Sequence, residues 1–390
     1  MALNLMILAR DFALNPEDVR EGVTYRYAGL YGSLTKTLLK RSPESKVFWY
    51  SVTDHSLRII TKQGYKDQKA SMISALRNAV FGTLRSKSYL TVIIAYPSVL
   101  PRVSRIFEYV SCLLFFKLFS FPQIRVFVDA FDYQVEAAYD FSETAPSFML
   151  VNYYRLLDKL SFSFASSIVV LSEFWKNHIM KIYHLQANKI LVVTSGSLLR
   201  FIPHKLKDQH GTFIVLYAGS TMKCKDIDKL VLAIANLRAK GLKIDLHIAG
   251  IKVMDVPSWV NIAHYEWSTL VRDILPRSDV CVIPYSSSKF AFNHSVPAKL
   301  FDYMAAGKPI VSTNLEVVGN IIRSYCCGLV AKDWTEFELH LEHLYENREL
   351  ATKLGNNGRI AAEKYFDYEK LAEFFLEDLV NQYCDKQRLE

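Results

Sequence analysis

Residues 294–313, HSVPAKLFDYMAAGKPIVST, hold a helix start, a helix stop and a buried strand within one short stretch. Ser295 is expected as the N-cap, and Pro297 suits the first turn, where backbone N–H groups have no partner. The helix is expected from Lys299 to Ala306, with Gly307 as its left-handed stop. Pro309 blocks continuation, and Ile310–Thr313 reads as a strand. A helix N-terminus is a ready anion site, which places Ser295, Val296 and Lys299 beside a phosphate. One turn in, Asp302 offers a carboxylate to a pair of sugar hydroxyls. Phosphate at the helix start and ribose at the first turn outline a site for a nucleotide diphosphate.

The stretch SVPAKLFDYMAAGKPIV resembles the nucleotide-sugar-binding element of the GT-B glycosyltransferases, in particular the large retaining family 4. The resemblance rests on Pro-x-Lys, an acidic residue three positions after the lysine, and the AAGKP turn. It implies an α/β chain of two Rossmann-like doubly wound domains facing across a cleft. It further implies a retaining transfer of a sugar from a UDP- or GDP-sugar to a hydroxyl of a glycan or lipid-linked acceptor. No metal and no separate cofactor are expected.

The chain has 390 residues, 51% of them hydrophobic and 22% charged, which suits two globular cores. Its net charge of +8 points to an anionic partner: a nucleotide diphosphate or an anionic lipid surface. Nucleic acid ranks last, because zinc-finger spacing, RNP-like aromatics and Arg-rich tracts are missing from the sequence. The six cysteines, Cys112, Cys224, Cys281, Cys326, Cys327 and Cys384, form no Cys-x-x-Cys pair and read mostly as buried thiols of a reducing compartment. The opening MALNLMILAR has no basic region and reads as a first strand, so a cytoplasmic chain is expected. The most hydrophobic run, Tyr109–Phe121, is shorter than the ~20 residues of a membrane span and contains Lys117. It is read as a buried helix, with a docking surface on the inner face of the membrane as the alternative.

Apolar strand-like runs alternate with helical segments throughout. They are Leu3–Leu8, Val47–Val52, Thr91–Tyr96, Arg125–Asp129, Ser167–Leu171 and Ile190–Val193, then Phe213–Ala218, Ile244–Ala249, Asp279–Ile283, Ile310–Thr313 and Gly328–Ala331. Runs apolar throughout suit parallel strands covered on both faces. Two such series imply two domains, 1–200 and 201–366, with the polar segment Leu199–Thr212 between them. By resemblance, the terminal helix at about 367–390 crosses back to the first domain.

The second domain opens with a strand ending at Ala218-Gly219, then a loop, then a helix near Asp226–Asp228. By resemblance, Gly219, Ser220 and Lys225 line the donor diphosphate, and Lys225 neutralises the leaving group. Ser220 stands where many relatives carry an arginine; Lys223 is a second cation in the loop. Asp226 and Asp228 are read as helix-capping acids rather than a metal-binding Asp-x-Asp pair. His294 stands where the family places a glutamate that contacts the donor sugar, and Asp302 where its second glutamate binds ribose. Lys299 either reaches a phosphate or pairs with Asp302 at i,i+3. Tyr265, in NIAHYEW, is placed to stack on the base. In the first domain Asp129 and Asp132 close a strand, and Asp132 is taken as the acceptor-side acid or base. Gly22 stands for the glycine pair that usually opens the first helix. Ser172 is expected to cap a helix. Two other readings stay open, a nucleotide-sugar 2-epimerase and a non-catalytic subunit of a glycosylation complex.

Overall fold

In the computed structural model the described residues are 2–15, 25–96, 122–141, 145–204, 211–220, 225–250 and 256–387, with side chains described to 383. Gly22, Lys223, Cys112, Cys224 and the Tyr109–Phe121 run lie outside them. The chain divides into two units, Met1–Thr194 with Glu369–Glu390, and Ser195–Tyr368. The division at Thr194/Ser195 falls upstream of the polar segment that the sequence offers as a boundary.

The first unit is built on strands β1 (Leu3–Ala9), β2 (Val47–Ser51), β3 (Ser56–Thr61), β4 (Gly64–Lys69), β5 (Tyr89–Tyr96), β6 (Ile124–Ala130), β7 (Ser167–Val170) and β8 (Ile190–Val192). They form one sheet in the order β4-β3-β2-β1-β5-β6-β7-β8. From β2 to β8 neighbouring strands run parallel, and β1, β2 and β5 are buried almost throughout, as the unbroken apolar runs require. The β2-β3-β4 meander is antiparallel and extends the sheet at one edge. The terminal helix Tyr368–Gln387 packs within this unit. Phe375 meets Phe127 edge-on, and the Tyr383 hydroxyl donates to the Leu90 carbonyl at 2.7 Å.

The second unit is a six-stranded, wholly parallel sheet. Its strands are β9 (Phe213–Ala218), β10 (Ile244–Ala249), β11 (Val260–Ala263), β12 (Val280–Ile283), β13 (Ile310–Thr313) and β14 (Gly328–Ala331). The order is β11-β10-β9-β12-β13-β14, so the winding reverses between β9 and β12. Ligands of doubly wound sheets bind at the carboxyl ends of the strands beside such a reversal. Among the described residues no helix is long and apolar enough to cross a membrane.

Candidate nucleotide-sugar site

The carboxyl end of β9 turns sharply. Gly219 sits at φ 144°, in a region that side chains strain to enter, and a β-carbon there would lie 2.4 Å from the Lys299 Nζ. The missing side chain therefore leaves room for a cation. Lys299 lies on the helix Ala298–Ala305 and donates to the Tyr285 hydroxyl at 2.8 Å. Its ammonium also stands 4.5 Å from the centre of the Tyr217 ring and 5.1 Å from that of Tyr285. The predicted pairing of Lys299 with Asp302 is not made, because the side chain turns instead to these phenol rings. Lys225 arrives from the loop after β9, donates to the Ser220 Oγ at 2.7 Å and stands 5.5 Å from the Tyr285 ring. Two ammonium groups from separate segments thus share one tyrosine at the reversal between β9 and β12. Burial, and then the charge of Lys225, hold the Lys299 ammonium well below the ordinary lysine range.

The N-cap of the signature helix lies two residues later than the sequence suggests. Pro297, extended at ψ 130°, is its N-cap, and it makes no side-chain capping bond. Ser295 is not the cap: its hydroxyl donates backwards to the Phe292 carbonyl at 2.9 Å. Val296 is buried beside it. Gly307 ends the helix at φ 68°, as expected of the left-handed stop. Asp302 is 7% exposed and its two oxygens are engaged separately. Ser197 donates to Oδ1 at 2.8 Å and the Trp267 indole to Oδ2 at 3.1 Å. Ser197 and Trp267 are residues that the sequence did not single out. Tyr265, two positions before Trp267, is half-buried in the segment that follows β11.

His294 is 6% exposed and closes the short helix Phe290–Asn293. Its Nδ1 lies 2.8 Å from the Phe290 carbonyl oxygen, and its Nε2 3.1 Å from the Glu316 carboxylate. Asp226 is the N-cap residue of the helix Ile227–Ala239 in left-handed conformation, yet its carboxylate pairs with Lys229 at 3.2 Å instead of capping. Asp228 lies in the first turn of that helix, where an acid suits the helix dipole.

In the first unit the two strand-end aspartates have different surroundings. Asp129 is fully buried and pairs with the Arg26 guanidinium at 2.8 Å, which also donates to the Val193 and Thr194 carbonyls. Asp132 is open to solvent in area but crowded by surrounding protein, and burial pushes its carboxyl up to about 6. Ser172 caps the helix Glu173–Tyr183 as expected, accepting from the Trp175 amide. Of the cysteines with described side chains, Cys281 and Cys327 are buried and Cys326 is exposed.

The family model described as "Glycosyl transferases group 1" matches residues 200–361, which cover β9 to β14. The chain is 22% identical over 267 residues to the capsular polysaccharide biosynthesis glycosyltransferase CapM of Staphylococcus aureus, covering 62% of this chain and 68% of CapM. It is 24% identical over 201 residues to EpsD of Bacillus subtilis (strain 168), whose name assigns it provisionally to the glycosyltransferases; that match covers 48% of this chain and 51% of EpsD. The chain thus spans about half the length of EpsD and about two thirds of CapM. Among solved structures, sucrose-phosphate synthase from Thermosynechococcus elongatus superposes with a TM-score of 0.68 at 14% identity, covering 98% of this chain and 99% of that one. Residues 200–361 thus resemble the glycosyl transferases group 1 family, and the two α/β units of the chain have the GT-B fold.

Proposed function

We propose that the chain is a retaining glycosyltransferase that moves a sugar from a UDP- or GDP-sugar to a hydroxyl of a glycan or lipid-linked acceptor. The observation that carries this reading is the convergence of Lys225 and Lys299 on Tyr285 at the strand reversal. Two cations brought this close raise each other's free energy, and an anion between them relieves the strain. A diphosphate suits the place because it gains negative charge as the glycosidic bond breaks. Fixed ammonium groups aimed at that charge stabilise the transition state more than the ground state. They also supply the counter-charge that a metal would otherwise bring, so the proposed reaction runs without one. Asp302, fixed by Ser197 and Trp267, is the group proposed for the ribose hydroxyls, with Tyr265 and Trp267 beside the base. Asp132 is proposed on the acceptor side, where a carboxyl near 6 suits proton transfer at neutral pH. Retention follows, on this reading, from attack on the face that the diphosphate leaves, with the departing phosphate helping to take the acceptor proton.

The helix Phe148–Phe164 supports contact with an anionic membrane. Phe148 and Met149 are more than 80% exposed, Leu156 is 56% exposed, and Arg155 and Lys159 stand out on the same stripe. Apolar side chains flanked by cations suit an interface of acidic headgroups.

A thermal-shift panel of UDP-, GDP-, ADP- and dTDP-sugars tests the donor reading, since a specific donor raises the melting temperature by mass action. One base should stand out, and Lys225→Ala should abolish its shift. Transfer that survives both Lys225→Ala and Asp302→Ala would sink the assignment of the site. A chain that no donor stabilises fits the inert-subunit reading instead.

A further inference from the structure

We propose that Glu316 supplies the carboxylate that reads the hydroxyls of the donor sugar, in place of a group at position 294. The proposal rests on the nucleotide-sugar reading of the site given above.

The resemblance puts a sugar-contacting acid where this chain has His294. The structure leaves that histidine little freedom to serve. It is 6% exposed, its Nδ1 lies 2.8 Å from the Phe290 carbonyl oxygen, and its Nε2 faces Glu316 Oε2 at 3.1 Å and Asn293 Nδ2 at 3.4 Å. The Phe290 ring covers one side at 4.4 Å between centroids. Both ring nitrogens are thus committed to groups of this chain. A histidine so engaged works as a clamp on a carboxylate.

The carboxylate it clamps is the accessible member of the pair. The Glu316 side chain is 52% exposed, against 7% for His294. Its position is set three times over. Glu316 opens the helix Glu316–Ser324 directly after β13, its backbone N–H donates to Asn293 Oδ1 at 3.1 Å, and one carboxylate oxygen rests on His294. Oε1 has no hydrogen-bond partner among the described residues and remains to accept.

The place is also right. Glu316 follows the carboxyl end of β13, and three residues earlier Thr313 donates to the Tyr285 carbonyl at 2.6 Å. Tyr285 is the residue whose hydroxyl accepts from Lys299. The clamp and the two-lysine site therefore hang on the same strand ends, β12 and β13. A carboxylate accepting from one or two hydroxyls makes charge-assisted bonds, which are stronger than neutral ones and strict in geometry. Sugar selectivity would then reside in the helix after β13, not in the loop before the signature.

Titration calorimetry with UDP, GDP, UDP-glucose and GDP-mannose on the full chain is the test. The wild type is expected to bind one sugar nucleotide more tightly than its bare nucleotide. Glu316→Ala should erase at least tenfold of that preference and leave the affinity for the bare nucleotide within twofold. Moving the acid back, as in His294→Glu with Glu316→Ala, should restore part of the preference. An unchanged preference in Glu316→Ala, or an equal loss for sugar nucleotide and bare nucleotide, overturns the assignment alone. A wild type that binds none of the four, while Lys225→Ala behaves identically, overturns the donor reading and this assignment with it.

Discussion

Lys299 and Asp132 show how a single side chain records the work its surroundings ask of it. Lys299 is held below the ordinary lysine range by burial and by Lys225. A lysine whose folded value lies below its unfolded value of ~10.4 costs stability at every pH where the unfolded chain is charged. Lys299→Met should therefore melt at or above the wild type at pH 7 without ligand. The same variant should lose the melting shift expected of the wild type with nucleotide diphosphate. A variant that melts lower yet keeps the shift would remove Lys299 from the anion site. Asp132 shows the opposite shift, up to about 6 against ~3.9 in an unfolded chain. Its charged form is disfavoured in the fold, so stability drops as pH rises from ~4 to about 6 and is flat above. Asp132→Asn should gain on the wild type in urea unfolding across that window and hold its gain at pH 8. If Asp132 serves the acceptor, wild-type kcat/KM should fall below about pH 6 and the Asn variant should lose most activity at any pH. A wild-type profile without an acid limb near 6 would dissociate this carboxyl from the chemistry.

The signature helix is held in place by the helix behind it. A β-carbon on Gly355, in the helix Arg348–Tyr365, would lie 2.1 Å from the Gly307 carbonyl oxygen. The Arg359 guanidinium ties the same helix to the Ala305 carbonyl, at the signature helix's last turn. Close backbone crossing of this kind needs glycine, and overpacking it costs about 1–3 kcal/mol. Gly355→Ala should therefore lower unfolding free energy by about that amount and weaken nucleotide binding without touching a binding residue. Normal stability in that variant would show that the crossing can open at little cost. Elements of this sort explain what a sequence does and does not reveal. The eleven apolar runs from Leu3–Leu8 to Gly328–Ala331 all became strands, because a strand buried on both faces is written as a continuous apolar word. β4, GYKDQK, carries no such word: it is an exposed antiparallel edge held by its partner β3. β11 is four residues long and interrupted by Asn261, and its pairing with β10 defines it. Lys225, Lys299 and Asp302 of the candidate site were legible because they sit inside a recognisable local pattern. Ser197, Trp267, Tyr285 and Glu316 were not, since each is tied to the candidate site only by a contact made in the fold. The Ser295 cap failed for a local reason: its hydroxyl has a nearer acceptor at Phe292.

Over the whole molecule, charge and apolar exposure point the same way. The net charge is +8, and the helix Phe148–Phe164 sets Phe148, Met149 and Leu156 in solvent beside Arg155 and Lys159. Exposed aromatic and aliphatic side chains at neighbouring positions are uncommon on a surface that faces only water. The lipid-linked acceptor proposed above would bring the chain to a membrane, and weak adsorption would keep it there. Adsorption through a few cations and a shallow apolar wedge is salt-sensitive, each basic residue contributing about 1 kcal/mol near an acidic surface. The chain should therefore sediment with vesicles containing phosphatidylglycerol and not with phosphatidylcholine alone, and 0.5 M salt, a condition chosen well above about 0.15 M, should release most of it. Phe148→Ser with Met149→Ser should weaken binding without changing its salt dependence. Arg155→Glu with Lys159→Glu should weaken it and flatten that dependence. Binding that is equal on both vesicle types, or untouched by either double variant, would mean that this helix faces another partner and that the lipid reading of the stripe is wrong.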